Sequence, residues 1–246
     1  MNNRIFDFRG AIFSSIAILL VFSIALTRLA VKYCHGEELY ISAAGTPSTE
    51  KIVILDAGHG GEDCGAIGYT GVYEKDINLN VVMIMGEELK KQGYAVVYTR
   101  TDDKLLYKDE ENIKGIRKIS DLKNRCAVAK SYPTAIFISI HMNSFGDERY
   151  SGLQVYYSET NAESKVLAEG IQKGVREGLQ TSNKRTVKGG KGLYILENVD
   201  NPAVLVECGF LSNKAECVNL SEKEYQKQLS FLIVCAIIEY MENTVA

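Results

Sequence analysis

Tryptophan is absent from this chain of 246 residues, and proline and histidine each occur only 3 times. There is no excess of positive charge either, because the formal net charge is -3. The chain therefore lacks the general basic field that attracts nucleic acid. Its 6 cysteines include no CxxC pair, and their spacing indicates no disulfide framework. Hydrophobic residues at 46% and charged residues at 24% are ordinary for one good-sized globular domain or two small ones.

The longest uncharged run lies near the N-terminus, at residues 10–26, with basic residues on both flanks. Its 17 residues are the lower limit for a membrane span and are long for the core of a signal peptide. Residues 1–32 therefore predict an N-terminal membrane anchor or a cleaved signal sequence, with a buried helix as a third interpretation. Residues 33–50 lack hydrophobic periodicity and predict a linker. Residues 51–246 are then expected to lie outside the cytoplasmic membrane.

Beyond the linker, β-branched runs typical of strands alternate with amphipathic runs typical of helices. This alternation favours one α/β domain whose sheet is covered by helices on both faces. Ser221 followed by Glu224 has the spacing of a helix capping box. Strands are predicted at 51–56, 94–99, 135–140, 152–158, 192–196 and 203–208, and helices at 76–93, 120–130, 162–179 and 221–242.

Four polar residues stand at or just beyond the ends of these elements. His59 and His141 follow predicted strands, Glu207 is the penultimate residue of another, and Glu74 follows a glycine-rich loop. In open α/β sheets, ligands bind at the carboxyl ends of strands. Two imidazoles and one carboxylate form a zinc ligand set that leaves a coordination position open. The remaining carboxylate has the chemistry of a proton shuttle.

Other interpretations of the same residues remain open at this point. A histidine at a strand end is more often a structural residue than a ligand, although two of them near carboxylates strengthen the ligand interpretation. Residues 58–61 lack the Lys-Ser/Thr of a P-loop and do not match GxGxxG, which argues against nucleotide binding. A Cys208 or Cys64 nucleophile paired with histidine would leave Glu74 and Glu207 without roles. In addition, Glu207 interrupts an apolar run, where a carboxylate is costly unless it is paired or lies in a polar crevice.

Five motifs stand in order over about residues 51–241. They are Ile54-Leu-Asp-Ala-Gly-His-Gly-Gly, Gly71-Val-Tyr-Glu-Lys-Asp, Thr99-Arg, Ser139-Ile-His-Met-Asn and Glu207-Cys-Gly-Phe-Leu-Ser-Asn. These motifs resemble those of the zinc-dependent N-acetylmuramoyl-L-alanine amidases of the Amidase_3 family. The resemblance implies a mixed sheet with helices on both faces, zinc held by His59, Glu74 and His141, and a catalytic Glu207.

The resemblance also implies a substrate, the amide between the lactyl group of N-acetylmuramic acid and the L-alanine of the peptidoglycan stem peptide. A bare domain behind one hydrophobic segment looks most like the germination-specific (CwlD-type) subgroup of spore-forming bacteria. There the amidase prepares muramic-δ-lactam of the spore cortex, which would place it between the forespore membranes. A general cell-wall or division amidase, a zinc peptidase and a non-catalytic peptidoglycan-binding module are the alternatives.

Residues around the predicted ligands are expected to orient them. Asp63, Asn143 and Asp56 are the nearest in sequence. Arg100 either positions a substrate carboxylate or braces the fold. Because an exposed wall hydrolase needs restraint, an activating protein partner is expected, and residues 104–119 could cover the cleft.

Overall fold

The computed structural model of the chain describes residues 51–107, 110, 113 and 116–243. The predicted anchor or signal at 1–32 and the predicted linker at 33–50 lie outside these described residues. Within the described ranges, no helix combines the length and the apolar character that crossing a bilayer requires.

Strands and helices alternate along most of the described chain, as the sequence predicts. The strands are β1 (Ile52–Ala57), β2 (Ala95–Tyr98), β3 (Ile136–Asn143), β4 (Gln154–Tyr157), β5 (Lys188–Gly189) and β6 (Ala203–Phe210). The helices are α1 (Glu74–Lys91), α2 (Arg117–Ser131), α3 (Glu163–Gly178), α4 (Tyr194–Asn198), α5 (Lys214–Ser221) and α6 (Lys223–Asn243).

All six of these strands form one sheet in the order β2-β1-β3-β6-β4-β5. The pairs from β2 to β6 are parallel, β4 runs antiparallel to β6, and β5 runs parallel to β4. The predicted α/β domain with a mixed sheet is therefore confirmed. Since β1, β3 and β6 are adjacent and parallel, their carboxyl ends lie at the same edge of the sheet.

Hydrophobic side chains fill both faces of the sheet, because successive residues of a strand point to opposite sides. On one face Val53 and Leu55 of β1 join a large cluster with helices α1, α3 and α6. On the other face Ile54 joins a smaller cluster with α2 and α4. The helices thus cover the sheet on both sides, and the smaller cluster lies beneath the face that carries His141 and Glu207.

Two local predictions are wrong. The strand predicted at 192–196 is absent, and residues 194–196 belong to α4. Ile195 and Leu196 both pack into the smaller cluster. Two successive residues of a helix can face the same cluster, whereas successive residues of a strand point to opposite faces. Ser221 does not cap the last helix. It is the last residue of α5, and its Oγ donates to the Cys217 carbonyl 2.7 Å away. The helix predicted at 221–242 corresponds to α6, which begins at Lys223.

Candidate metal centre and proton carrier

Three of the predicted site residues converge at the carboxyl edge of the sheet. His59, in the loop after β1, has its Nε2 3.2 Å from Glu74 Oε1. The Nδ1 of His141, near the end of β3, lies 2.9 Å from the same oxygen. One donor atom from each residue lies within 4.8 Å of the others. Residues far apart in sequence thus present two imidazoles and one carboxylate to a single point.

Glu74 is the first residue of α1, and its buried carboxylate is held from several sides. Its Oε2 accepts the Ala66 N–H at 2.8 Å, and its Oε1 accepts the Met142 N–H at 3.1 Å. Burial raises the pKa of this carboxyl, but hydrogen bonds from His141 and His59 outweigh burial and hold the pKa well below its ordinary value. Glu74 is therefore ionised at neutral pH, which is the state required of a metal ligand.

The loop that carries His59 adopts an unusual conformation. His59 has φ = 60°, in the left-handed region, which costs a non-glycine residue of order 1–3 kcal/mol. Its neighbour Gly58 lies against the His141 ring, where an added Cβ would stand 2.2 Å from the ring atoms. The backbone can therefore bring the two imidazoles together only because residue 58 has no side chain.

Two buried arginines hold this loop in place. Arg125 donates to the carbonyls of Ala57 and His59 at 2.7 and 2.8 Å, and it forms an ion pair with Asp56 at 2.6 Å. Arg100 donates to the carbonyls of Ala57 and Gly58, each at 2.9 Å. Both guanidinium groups therefore hold the backbone of this loop in its strained conformation. For Arg100, which is only 2% exposed, this geometry favours a brace for the fold over contact with substrate.

Asp63 contacts a predicted ligand, as the sequence suggested. Its Oδ2 lies 3.0 Å from His59 Nδ1, on the side of the ring opposite Glu74. Burial lowers the pKa of His59, but hydrogen bonds to Asp63 and Glu74 outweigh burial and raise the pKa to about 9. The His59 hydrogen bond holds the pKa of Asp63 well below its ordinary value. An aspartate in this position fixes the tautomer and the orientation of a metal-binding imidazole.

The other two predicted orienting residues have different surroundings. The carboxylate of Asp56 is buried and accepts hydrogen bonds from Thr99, Ser139 and Arg125 at 2.6–2.7 Å. Asn143 ends β3, and its backbone carbonyl accepts the Leu211 N–H at 2.8 Å. Asp56 thus belongs to the support beneath the loop, and Asn143 lies two residues beyond His141.

Glu207 lies beside the cluster on the neighbouring strand. In the register of β3 and β6 it is paired directly with His141, so the two side chains share a face of the sheet. Its Oε2 is shielded from solvent and has no hydrogen-bond partner among the described residues. Burial, aided by the charge of Glu74, raises the pKa of Glu207 to about 7 against the opposing charges of His141 and His59. A carboxyl group with this pKa can both accept and release a proton near neutral pH.

The donor set fits Zn²⁺. Two imidazole nitrogens and one carboxylate oxygen form a known three-residue ligand set for catalytic zinc, which keeps one position for water or substrate. The carboxylate of Asp63 behind His59 is the kind of outer partner that such imidazoles have. The Oε2 of Glu207 is a buried polar atom that the described part of the protein leaves without a hydrogen bond, as expected where a reacting group will bind.

Comparison with known proteins gives the family. The profile of the Amidase_3 family, N-acetylmuramoyl-L-alanine amidase, matches residues 53–239. The chain belongs to this family. The germination-specific N-acetylmuramoyl-L-alanine amidase of Bacillus subtilis is 34% identical over 194 residues, which cover 79% of this chain and 81% of the relative. The predicted family and the predicted class of enzyme are therefore confirmed.

Solved structures are similar over the same part of the chain. The CwlD amidase from Clostridioides difficile, in complex with the GerS lipoprotein, matches with a TM-score of 0.75 and 38% identity, covering 78% of this chain and 98% of that one. The catalytic domain of the amidase CwlV from Bacillus (Paenibacillus) polymyxa matches with a TM-score of 0.67 and 32% identity, covering 78% and 98%.

Some residues at this edge were not predicted from the sequence. Arg125, Gln154 and Arg185 lie below or beside the cluster, and none belongs to a motif with a distinctive spacing. The one available signal was the position of Arg125 on the inward face of the predicted helix at 120–130, together with Cys126 and Ala129, which are also buried.

Proposed function

We propose that this chain uses Zn²⁺ to hydrolyse the amide between the lactyl group of N-acetylmuramic acid and the L-alanine of the peptidoglycan stem peptide. His59, Glu74 and His141 would hold the metal, and Glu207 would carry the proton. The observation that supports this most directly is the convergence of the three donor atoms within 4.8 Å, with Glu207 paired beside His141 on the next strand. Residues 51–246 would form the catalytic domain.

The chain's own residues would divide the work as follows. When bound, Zn²⁺ would act as a Lewis acid that activates water and polarises the carbonyl group of the amide. Glu207 Oε2 would take a proton from the attacking water and then deliver it to the departing alanine nitrogen. Asp63 would keep His59 in the orientation for ligation, and Arg125 and Arg100 would keep the His59 loop closed over the sheet edge.

We further propose a role in forming the muramic-δ-lactam of the spore cortex, with the domain outside the cytoplasmic membrane and residues 1–32 as its anchor or export signal. The support is the similarity to a germination-specific relative over most of both chains. The similar CwlD structure is a complex with the GerS lipoprotein, which supports a protein partner for this chain, and we propose that this partner activates it. Deleting the gene in the source bacterium should remove the lactam from its spores. Unchanged lactam would favour a general cell-wall amidase.

The reaction is tested by mass spectrometry of peptidoglycan fragments after digestion with the zinc-loaded full-length chain in detergent, beside Glu207→Gln. Peptides with new L-alanine amino termini, together with peptide-free muramic acid, are expected from the wild type only. Cleavage within the stem peptide, with the muramic acid–alanine link intact, would instead identify a peptidase. No release by a folded, zinc-loaded chain, even after envelope extract is added to both samples to supply an activating partner, would indicate a binding role.

A further inference from the structure

A second cluster of charged and aromatic side chains lies beside the site, at the N-terminal end of β4. Arg185, in the loop before β5, stacks over the ring of Phe210 at 4.6 Å and lies 5.7 Å from the ring of Tyr150. Tyr150 in turn contacts Phe145, with ring centroids 4.8 Å apart. Tyr150 and Phe145 are 45% and 56% exposed, so this aromatic group reaches the surface around the guanidinium.

Arg185 lacks an anionic partner within the described part of the chain. Its Nε donates to the Ser151 carbonyl at 2.7 Å and its Nη1 to Gln154 Oε1 at 3.1 Å, both neutral acceptors. None of the ion pairs among the described residues includes it. The carboxylate of Glu216 is close enough to sense its charge, but both Glu216 oxygens already accept backbone N–H groups.

Cations on the opposite side of the site differ in this respect. Lys75 pairs with Asp103 at 2.6 Å, Lys118 pairs with Asp63 at 3.4 Å, and Arg117 pairs with Glu62. Aromatic rings and neutral acceptors position the Arg185 guanidinium, but no anion among the described residues neutralises it. Such a guanidinium can bind an anionic group of a ligand.

The strand register connects Arg185 to the proposed catalytic residues. Gln154, which accepts its hydrogen bond, is paired with Glu207 across β4 and β6, and Glu207 is paired with His141 across β6 and β3. A shift in register then pairs Phe210 with Asn143, two residues beyond His141. Directly paired residues share a face of the sheet, so this row of residues and the Phe210 ring beneath Arg185 lie on one side.

The phenol of Tyr156 lies within electrostatic range of both Glu207 and Arg185. Burial raises the pKa of Tyr156, the charge of Glu207 raises it further, and the charge of Arg185 lowers it. Both charges therefore act on the same hydroxyl group. Arg185 and Glu207 are therefore both near Tyr156, on the same side of β4 and β6.

We propose that Arg185, supported by Phe210 and Tyr150, binds a free carboxylate of the stem peptide on the β4 side of Glu207. This inference rests on the proposed amidase function and adds the direction in which the peptide half of the substrate lies. Stem peptides carry free carboxylates, and a planar guanidinium recognises a carboxylate through two parallel hydrogen bonds. The aromatic rings would hold the guanidinium flat and partly dehydrated, which strengthens such a pair.

The test uses the zinc-loaded full-length chain in detergent and two soluble N-acetylmuramoyl tripeptides, one with free carboxylates and one with amidated carboxylates. The wild type should have a kcat/KM about 10- to 100-fold higher for the free form, because a charged hydrogen-bonded pair is lost with the amide. Arg185→Gln should abolish this preference, mainly through a higher KM for the free form. Arg185→Lys should restore part of it.

The matched control is Lys184→Gln, which removes one positive charge from the same loop at an exposed position. It should retain the wild-type preference. A second readout, independent of turnover, is calorimetric binding of the free stem tripeptide to Glu207→Gln with and without Arg185→Gln. Thermal melting establishes that each variant is folded.

The outcomes separate the two proposals. An Arg185→Gln variant that keeps the wild-type preference, or that loses rate equally on both substrates, overturns the carboxylate site and leaves the amidase function standing. A wild type that cleaves both substrates without preference does the same. If the wild type releases no peptide from either substrate, even with envelope extract added to supply an activating partner, the amidase function fails. Calorimetry then decides the carboxylate site alone, and equal tripeptide binding with and without Arg185→Gln overturns it.

Discussion

His141 and Glu207 are direct partners in the parallel pairing of β3 and β6. A proposed metal ligand and the proposed proton carrier are therefore separated by one inter-strand spacing, and the backbone hydrogen bonds of the sheet maintain that separation. The register shifts immediately afterwards, between His141 and Asn143, so the regular ladder ends where the site begins. Placing both groups on strands makes their relative position more rigid than a pair of loops would.

The first prediction concerns this pair. Glu207→Gln should retain bound zinc yet lose turnover by about 10²- to 10⁴-fold, since the amide has the shape of the carboxylate but takes up no proton. His59→Ala should lose zinc and turnover together. Metal content by mass spectrometry and peptide release by chromatography check both variants. A Glu207→Gln variant with near-wild-type turnover would remove Glu207 from the mechanism.

The sequence predicted that the site residues converge because three of them stand at the ends of predicted strands. His59, His141 and Glu207 each stand at the carboxyl end of a predicted strand, and parallel neighbouring strands place those ends at one edge. That β1, β3 and β6 are in fact neighbours was not determined by any local pattern. The glycines before Glu74 indicated only that its loop could fold back toward His59.

The features that the sequence did not predict depend on the order of the strands in the sheet and on buried polar contacts. Arg185 is near Glu207 because β4 joins the sheet antiparallel beside β6, and pairing partners distant in sequence leave no periodic signal. The Asp56–Arg125 ion pair links residues 69 positions apart in the chain. The α4 segment has strand-like composition, and only its packing against the smaller cluster shows that it is helical.

The second prediction concerns the carboxylate behind His59. Asp63→Asn should weaken zinc affinity by about 10- to 100-fold, because the neutral amide fixes the imidazole less strongly and donates less electron density to it. Competition with a chromogenic chelator measures this change. Glu62→Gln is the matched control. It removes a carboxylate next in sequence that is paired with Arg117 on the surface, and it should leave zinc affinity unchanged. Equal losses in both variants would point to general charge instead of the Asp63 contact.

A third prediction concerns the buried support. Asp56→Asn should lower the free energy of unfolding of the full-length chain at pH 7 by about 3 kcal/mol, because Arg125 would lose one of its two buried carboxylate partners. Urea unfolding followed by circular dichroism measures it. Asp147→Asn, which breaks a surface pair with Arg149, should cause no measurable change. If Asp56→Asn likewise caused no measurable change in the free energy of unfolding, the buried pair would add nothing to stability.

The same variant carries a pH dependence with a definite sign. Burial raises the pKa of Asp56, but Arg125, Ser139 and Thr99 outweigh burial and hold the pKa below its ordinary value. A carboxyl with a lowered folded-state pKa contributes stability above its unfolded pKa of about 3.9 and loses that contribution as the pH falls toward the folded value. The stability difference between wild type and Asp56→Asn should thus be constant from pH 7 to about 5 and shrink below 4. A difference that grows on acidification contradicts this assignment.

The last prediction separates backbone strain from crowding of the metal ligands. Gly65 and Gly71 have φ of 66° and 85°, so alanine at either position pays a similar backbone cost, of order 1 kcal/mol. A Cβ at Gly65 would stand 2.5 Å from Glu74 Oε2 and 2.7 Å from the His59 ring, whereas a Cβ at Gly71 would have no atom of the described residues within 4 Å. Both variants should lose a similar amount of thermal stability, because their backbone costs are similar. Only Gly65→Ala should also lose zinc affinity and turnover. If both variants bind zinc like the wild type, the Glu74 carboxylate and the His59 ring can move without loss of ligation, and the rigid arrangement inferred for the centre is wrong.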